Sequence, residues 1–414
     1  FQTMLTLDSD EDLPADFAGL ACREHVLDQH LAKFDLSFAF VEQHDAQGAA
    51  NGLTGAVEYA ADLFDHATVA TLAERLARVL RAAAADPDAP IGTIEILDPA
   101  EREDLLTGRH GPVAQLPAGS VPELFEAQAA ATPEAIALVA GSTELTYAEL
   151  NARANGLALR LAEAGVRAET PVALLLERSP ALAVALLAVL KAGGSYVPLD
   201  DAQPQERLAA VLADAGARIA VTDRDHPALA GLTTLTVGEE TAENLELAIV
   251  DDRLAYVMHT SGSTGTPKGV QITHQAVLRL THNTRIADTT PDDVFLHLNS
   301  IAFDASSYEI WTPLTTGATL AIAAPGRTTT ETATHDIHTH RPTVLLLTTA
   351  LFNALMDNAP QAFATARHVL VGGEALSPTH VNAFQGLHPD KSLVNVYGPS
   401  ESATITSTAP VSYT

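Results

Sequence analysis

The hydrophobic letters of this 414-residue chain change period several times, and each change marks an element. Between Leu53 and Tyr59 they alternate, with Leu53, Gly55, Val57 and Tyr59 set against Thr54, Ala56 and Glu58. That pattern predicts a strand with those four residues turned inward. The following segment switches to helical spacing, with Leu72, Leu76, Val79 and Leu80 on one face and Pro87 beyond its end. From about residue 91 to 120, Gly, Pro and mixed charge replace any sustained period, which is the texture of a linker.

Beyond the linker the pattern becomes regular. Thr146 and Glu149 form a capping box for a helix whose apolar face is Leu150, Ala154, Leu157 and Leu161 and which Gly165 closes. A strand over Val172 to Leu176 follows, then a helix opened by Ser179 and Pro180, then the strand YVPLD. A helix centred on ERLAAVLADAG leads into RIAVTD, and the later runs TLAIA, TVLLLT, HVLVGG and LVNVYG are mostly separated by helical segments. Alternating β and α predicts an α/β fold built on a mainly parallel sheet with helices on both faces. Ligands of such sheets gather at loops beyond the C-terminal ends of the strands, where the polar motifs of this chain fall.

Composition narrows the partners. Acidic residues outnumber basic ones 52 to 23, a formal charge of −29, which disfavours nucleic acid and anionic lipid. A bound polyphosphate would need local donors or a metal. Cys22 is the only cysteine, which excludes an internal disulfide and fits a reducing compartment; it reads as an ordinary small residue without a role. No apolar run reaches the ~20 residues of a membrane helix, and the N-terminus lacks the basic-then-apolar order of a signal peptide, so a cytoplasmic location without a membrane partner is expected.

Three segments carry chemistry. HTSGSTGTPKGV (His259 to Val270) is a Gly/Ser/Thr run fed by the apolar strand Leu254 to Met258. Glycine and hydroxyl residues at this density predict a loop. Its backbone N–H groups, the hydroxyls of Thr260, Ser261, Ser263 and Thr264, and the Lys268 ammonium could cradle a triphosphate; taken alone, a plain surface loop fits at least equally well. Pro267, Lys268 and Gly269 do not match the Gly-Lys-Ser/Thr of a Walker loop, and neither TSGSTG nor GPSES supplies a serine-hydrolase elbow. FDASSYEIWTPL places Asp304 in an apolar setting at a helix start. A buried carboxylate there needs a cation such as a substrate ammonium, while a solvated helix cap explains the same residue equally well. NVYGPSESA ends a strand on Tyr397, whose face could stack on a base, and presents Ser400 and Glu401, hard oxygen ligands suited to magnesium. By itself it also reads as a turn before a capped helix.

Taken together, YVMHTSGSTGTPKGV, LTYAELNARANGLA, LLAVLKAGGSYVPLD, FDASSYEIW and NVYGPSESA resemble, in order and spacing, the successive core motifs of adenylation domains from non-ribosomal peptide synthetases, members of the acyl-adenylate-forming superfamily. Upstream, HLAKFDLSFAFVE and NGLTGAVEYAADLFDHATVATLAERL resemble the C-terminal part of a condensation domain. The resemblance implies three parts: condensation fragment 1–92, linker 93–120, and adenylation N-terminal core 121–414 that stops before the family's barrel and lid. It implies ATP and Mg2+ as cofactors, an α-amino acid substrate, and a phosphopantetheine-bearing carrier domain outside this chain as acceptor.

Residue by residue, it assigns Thr260, Ser261, Gly262, Ser263, Thr264, Gly265 and Lys268 to the phosphates. Gly372, Gly373, Glu374, Asn395 and Tyr397 fall beside the adenine, and Glu401 with Ser400 at the magnesium; Ser400 departs from the family's usual threonine but keeps the hydroxyl. Asp304 meets the α-ammonium, which favours an amino acid over the fatty or aryl acids of an acyl- or aryl-CoA ligase. Ala305, Tyr308, Leu346, Leu370, Gly372, Val396, Thr404 and Ile405 line the side-chain pocket, and their lack of charge implies an apolar side chain. The condensation-like piece lacks the family's His-His pair with a downstream Asp-Gly, and the lid with its catalytic lysine is absent. Poor or no activity is therefore expected of this piece alone, whether as an internal slice of a larger synthetase or as an inactive docking module.

Overall fold

Local signals are met by local bonds. Asp65 accepts the Thr68 N–H at the start of helix His66–Ala85, and Ser179 accepts the Leu182 N–H ahead of Pro180–Lys191. Both halves of the Thr146/Glu149 capping box form at the head of helix Tyr147–Glu163, where Leu150, Ala154, Leu157 and Leu161 are fully buried. This computed structural model describes residues 2–9, 16–17, 20–21, 31–108, 115–238, 240–241, 243–245, 252–261, 267–282 and 286–411, giving only the backbone of residues 9, 16–17, 20–21 and 261. Cys22, Gly262, Ser263, Thr264 and Gly265 lie outside the described residues, as does the Ser261 side chain.

The chain divides into two units, Phe1–Val113 and Ala114–Thr414. In the first, strands Thr3–Ser9, Leu36–His44 and Ala50–Tyr59 form one sheet, parallel between the first pair and antiparallel between the second. The alternation read from Leu53 to Tyr59 is met by Val57 and Tyr59, which are half-buried. Leu53, 49% exposed, and Gly55, also exposed, depart from their predicted inward places because that end of the sheet face is uncovered among the described residues. Helix His66–Ala85 keeps Leu72, Leu76 and Val79 half-buried and Leu80 exposed. The stretch from 91 onward contains a short helix, Pro99–Glu103, tied back to it by ion pairs of Arg75 with Glu101 and of Arg78 with Asp98.

The second unit is built on two sheets. In space, the six-stranded one runs Thr233–Leu235, Ile219–Thr222, Pro171–Leu175, Ser195–Pro198, Leu254–Ser261 and Pro267–Thr273, parallel except for the last pair. The eight-stranded one runs Ser407–Pro410, Ser392–Tyr397, His368–Gly372, Val344–Thr348, Val294–His297, Thr319–Ile322, Ile136–Ala140 and Thr143–Thr146, antiparallel only at its two edges. Helix Pro180–Lys191 meets strands of both sheets and is buried from Leu182 to Lys191, which explains why its sequence is apolar on every side. Its one charge, Lys191, is buried and pairs with Glu126 while lying over the Phe125 ring.

The sheets are also fastened by aromatic side chains. Tyr196 of the six-stranded sheet stacks on Tyr256, with ring centroids 5.1 Å apart, and accepts the indole N–H of Trp311, on helix Ala305–Thr316, at 3.0 Å. All three rings are buried. Tyr196→Phe would strand that buried N–H, so we expect a loss of about 1–3 kcal/mol. Urea titration followed by the fluorescence of Trp311, the only tryptophan, should show a lower midpoint at unchanged slope; an unchanged midpoint would show that the bond contributes nothing.

Candidate active site

The strand predicted over Leu254 to Met258 runs on to Ser261 and turns back as Pro267–Thr273, so Thr260 and Lys268 face each other as a cross-strand pair. Thr260 and Lys268, predicted within a loop, are strand residues, because β-branched Thr260 and the residues opposite it complete a ladder. The hairpin is tied to helix Gln205–Ala215 by His259, whose Nε2 lies 2.9 Å from Asp214 Oδ2. Lys268 is exposed and makes no ion pair among the described residues.

Strand Pro267–Thr273 packs on the turn Ser400–Ser402, which carries Ser400 and exposed Glu401. The Ser400 hydroxyl donates to Asp304 Oδ2 at 2.7 Å, and the Thr404 hydroxyl donates to the Asp304 carbonyl at 3.0 Å. Asp304 stands at the cap position of helix Ala305–Thr316 without making a capping bond. The solvated-cap reading of Asp304 therefore fails: its half-buried carboxylate is held by Ser400 instead. Burial, opposed by Ser307 and reinforced by the Asp304 charge, pushes the neighbouring Tyr256 phenol up to about 12.

The turn is strained and clamped. Ala403 and Thr404 have φ of 53° and 71°, a left-handed conformation that is an outlier for a β-branched residue. Arg279, on helix His274–Thr281, donates to the carbonyls of Ser402, Ala403 and Ile405 from its two terminal nitrogens. Gly398 lets the chain close on itself here, since a Cβ would stand 2.2 Å from the Thr404 carbonyl oxygen. Arg279 has no signal in the sequence: a charged residue near a helix C-terminus ordinarily reads as dipole compensation.

Ala305, Tyr308, Leu346, Leu370, Val396 and Ile405 belong to one apolar cluster beside Asp304. Gly372 pairs with Val396 across parallel strands, and a Cβ on it would meet the Val396 carbonyl oxygen at 2.5 Å. Seven of the eight residues assigned to a side-chain pocket thus come together, and Thr404 is tied to their edge by its bond to the Asp304 carbonyl. Thr349 donates to the carbonyls of Gly372 and Glu374, fixing the bend at Gly373 (φ 96°). Next to that bend Asn395 is half-buried and Tyr397 is 71% exposed, its ring face open to a planar group. The described residues contain no cluster of three metal-binding side chains. One carboxylate and one hydroxyl fit magnesium, which commonly takes few protein ligands and completes its shell with phosphates and water.

A separate cavity of about 660 Å³ opens at the C-terminal ends of strands from both sheets, lined among others by Arg178, Asp200, Arg224, Ser300, Phe303 and Thr348. It reaches Phe303, the neighbour of Asp304, and Ser300 donates to Asp200 across it at 2.8 Å.

Comparison with known proteins gives the family. The AMP-binding enzyme family model matches residues 125–413 and the condensation domain model residues 1–106. The chain therefore belongs to the AMP-binding enzyme family. Within it, this is the adenylation domain of a non-ribosomal peptide synthetase preceded by part of a condensation domain. A linear gramicidin synthase of Brevibacillus parabrevis is 38% identical over 424 residues, 99% of this chain and 5% of that protein. The dimodular nonribosomal peptide synthase of Bacillus subtilis (strain 168) is 37% identical over 441 residues, 97% of this chain and 18% of that protein. The chain thus spans a small part of these curated relatives. The crystal structure of the nonribosomal peptide synthetase FmoA3 superposes with a TM-score of 0.83 at 27% identity, over 98% of this chain and 45% of that one. The N-terminal subdomain of Klebsiella oxytoca NpsA in complex with 3-hydroxybenzoyl-AMSN gives 0.66 at 28% identity, over 71% and 76%. Among the described residues no helix is long and apolar enough to cross a membrane.

The helix that supplies Arg279 begins at His274, which is 1% exposed. Burial, and secondarily Arg253, lower its pKa to about 4. The unfolded chain takes up this proton near pH 6.5. The contribution to stability is therefore complete above about pH 6.5 and is lost as pH falls toward 4, on the order of 3 kcal/mol in all. Denaturant midpoints between pH 7 and 4 should fall less steeply for His274→Asn than for the parent; equal slopes would remove His274 from the acid response.

Proposed function

We propose that this module activates an α-amino acid with an apolar side chain as its aminoacyl-AMP, using ATP and Mg2+, and passes the acyl group to the phosphopantetheine thiol of a carrier domain. The observation that carries the reading is Asp304. Its half-buried carboxylate borders an apolar cluster and has a hydroxyl, but no cation, for a partner among the described residues. An incoming α-ammonium supplies the missing charge, while an aryl or fatty acid leaves it unpaired. The substrate carboxylate then attacks the α-phosphorus, the bond to the β-phosphate breaks, and pyrophosphate leaves. This chemistry needs positioning and charge compensation and no protein nucleophile.

Lys268, with Thr260 to Gly265, is assigned to the phosphates; Gly372, Gly373, Glu374, Asn395 and Tyr397 to the adenine; and Ser400 and Glu401 to the ion. Bound magnesium would neutralise charge on the phosphates. The cavity at the strand ends, whose lining includes Phe303, the neighbour of Asp304, is the proposed approach for the thiol. As boundaries we propose 1–92, 93–120 and 121–414; the division at Val113 and the gap between family matches ending at 106 and resuming at 125 overlap the later part of that linker, while the condensation match runs on past 92.

The test is amino-acid-dependent exchange of labelled pyrophosphate into ATP by the full-length protein that contains this chain. Exchange is expected with one or a few apolar amino acids. Asp304→Ala should abolish it, and Lys268→Ala should slow it about 10²–10³-fold. Absence of exchange with every amino acid, or survival of amino acid binding in Asp304→Ala, would overturn the assignment.

A further inference from the structure

Ser400 stands between two proposed subsites. On one side its hydroxyl donates to Asp304 at 2.7 Å; on the other its turn packs on the strand of Lys268 and continues directly into Glu401. A hydroxyl has one proton to give, so Ser400 serves a single strong acceptor at a time. Without ligands that acceptor is the Asp304 carboxylate, and bonds to an ionised group are the stronger kind. Pairing Asp304 with an ammonium drains its power as an acceptor, while an arriving phosphate is a second charged acceptor on the other side.

Resting on the function proposed above, we infer that Ser400 is a proton-sharing link between the subsites: amino acid binding at Asp304 frees its hydroxyl proton for the nucleotide's phosphates, so each substrate tightens binding of the other. The turn suits this task. Arg279 fixes the carbonyls of Ser402, Ala403 and Ile405, and Thr404 holds the Asp304 carbonyl, so the backbone on both sides is pinned. Only the Ser400 hydroxyl has to rotate. Coupling of this kind is reciprocal by thermodynamic necessity.

The test is isothermal calorimetry on the full 414-residue chain with ATP and Mg2+, alone and at saturating amino acid, using L-valine, L-leucine, L-isoleucine and L-phenylalanine as probes. The parent should bind ATP at least about fivefold more tightly when the amino acid is present. In Ser400→Ala that ratio should collapse to about one, and Ser400→Thr should restore it. Without nucleotide, Ser400→Ala should bind the amino acid a few-fold more tightly than the parent, because the ammonium no longer competes with the hydroxyl. A merely damaged turn would bind more weakly, and Trp311 fluorescence reports whether the variant is folded. Equal ratios in parent and Ser400→Ala, or weaker amino acid binding by the folded variant, overturn the link while leaving the proposed function standing. A folded parent that binds ATP but none of these probes or the other proteinogenic amino acids, or that binds neither ligand, overturns that function and the link with it.

Discussion

The hydrogen bond from Ser400 to Asp304 is the contact on which the site depends, since it joins loops from distant parts of the chain into one surface. Asp304 is presented by helix Ala305–Thr316, packed on strand Val294–His297. Ser400 is presented by the turn after strand Ser392–Tyr397. The same turn touches the strand of Lys268, which belongs to the other sheet. Remove the bond and the Asp304 carboxylate loses its Ser400 partner in a half-buried place, a costly state for a charge.

Holding the turn in this shape costs conformational energy. Two consecutive non-glycine residues in the left-handed region cost on the order of 1–3 kcal/mol each. Arg279 offsets this with charge-assisted bonds to three carbonyls, of which that of Ala403 also accepts the Ile405 N–H at 2.9 Å. Strain held in place by the surrounding structure is typical of positions where geometry matters more than stability. A relaxed turn would point Ser400 and Glu401 wherever solvent favoured.

Much of this is legible in the letters, for reasons that differ from element to element. The capping box at Thr146, the Ser179–Pro180 start and the four apolar runs of the eight-stranded sheet are local patterns, and the structure follows them to within a residue or two. Asp304 is ambiguous because cap and cation partner look identical in one dimension; only Ser400, 96 positions away, separates them. The hairpin at Lys268 is harder to read, since a Gly/Ser/Thr run hides the ladder that forms when its flanks meet. Arg279 cannot be read at all, because its meaning lies in carbonyls more than 120 residues downstream. Leu53 shows the converse: the alternation is present, but nothing among the described residues covers that end of the sheet.

The charge balance sharpens what the site must do. A chain with a formal charge of −29 repels a polyphosphate at long range. At physiological salt the screening length is about 8 Å, so that repulsion fades before it can decide binding. What remains are short-range groups, and the proposed ones are exposed Lys268 on one strand and exposed Glu401 on the turn packed against that strand, whose negative charge would help only if a cation bridged it to the phosphates. A lone carboxylate facing a triphosphate without such an ion would oppose it. On the function proposed above, Glu401, on the turn that packs against the strand of Lys268, would oppose a bare triphosphate and favour one that carries its cation.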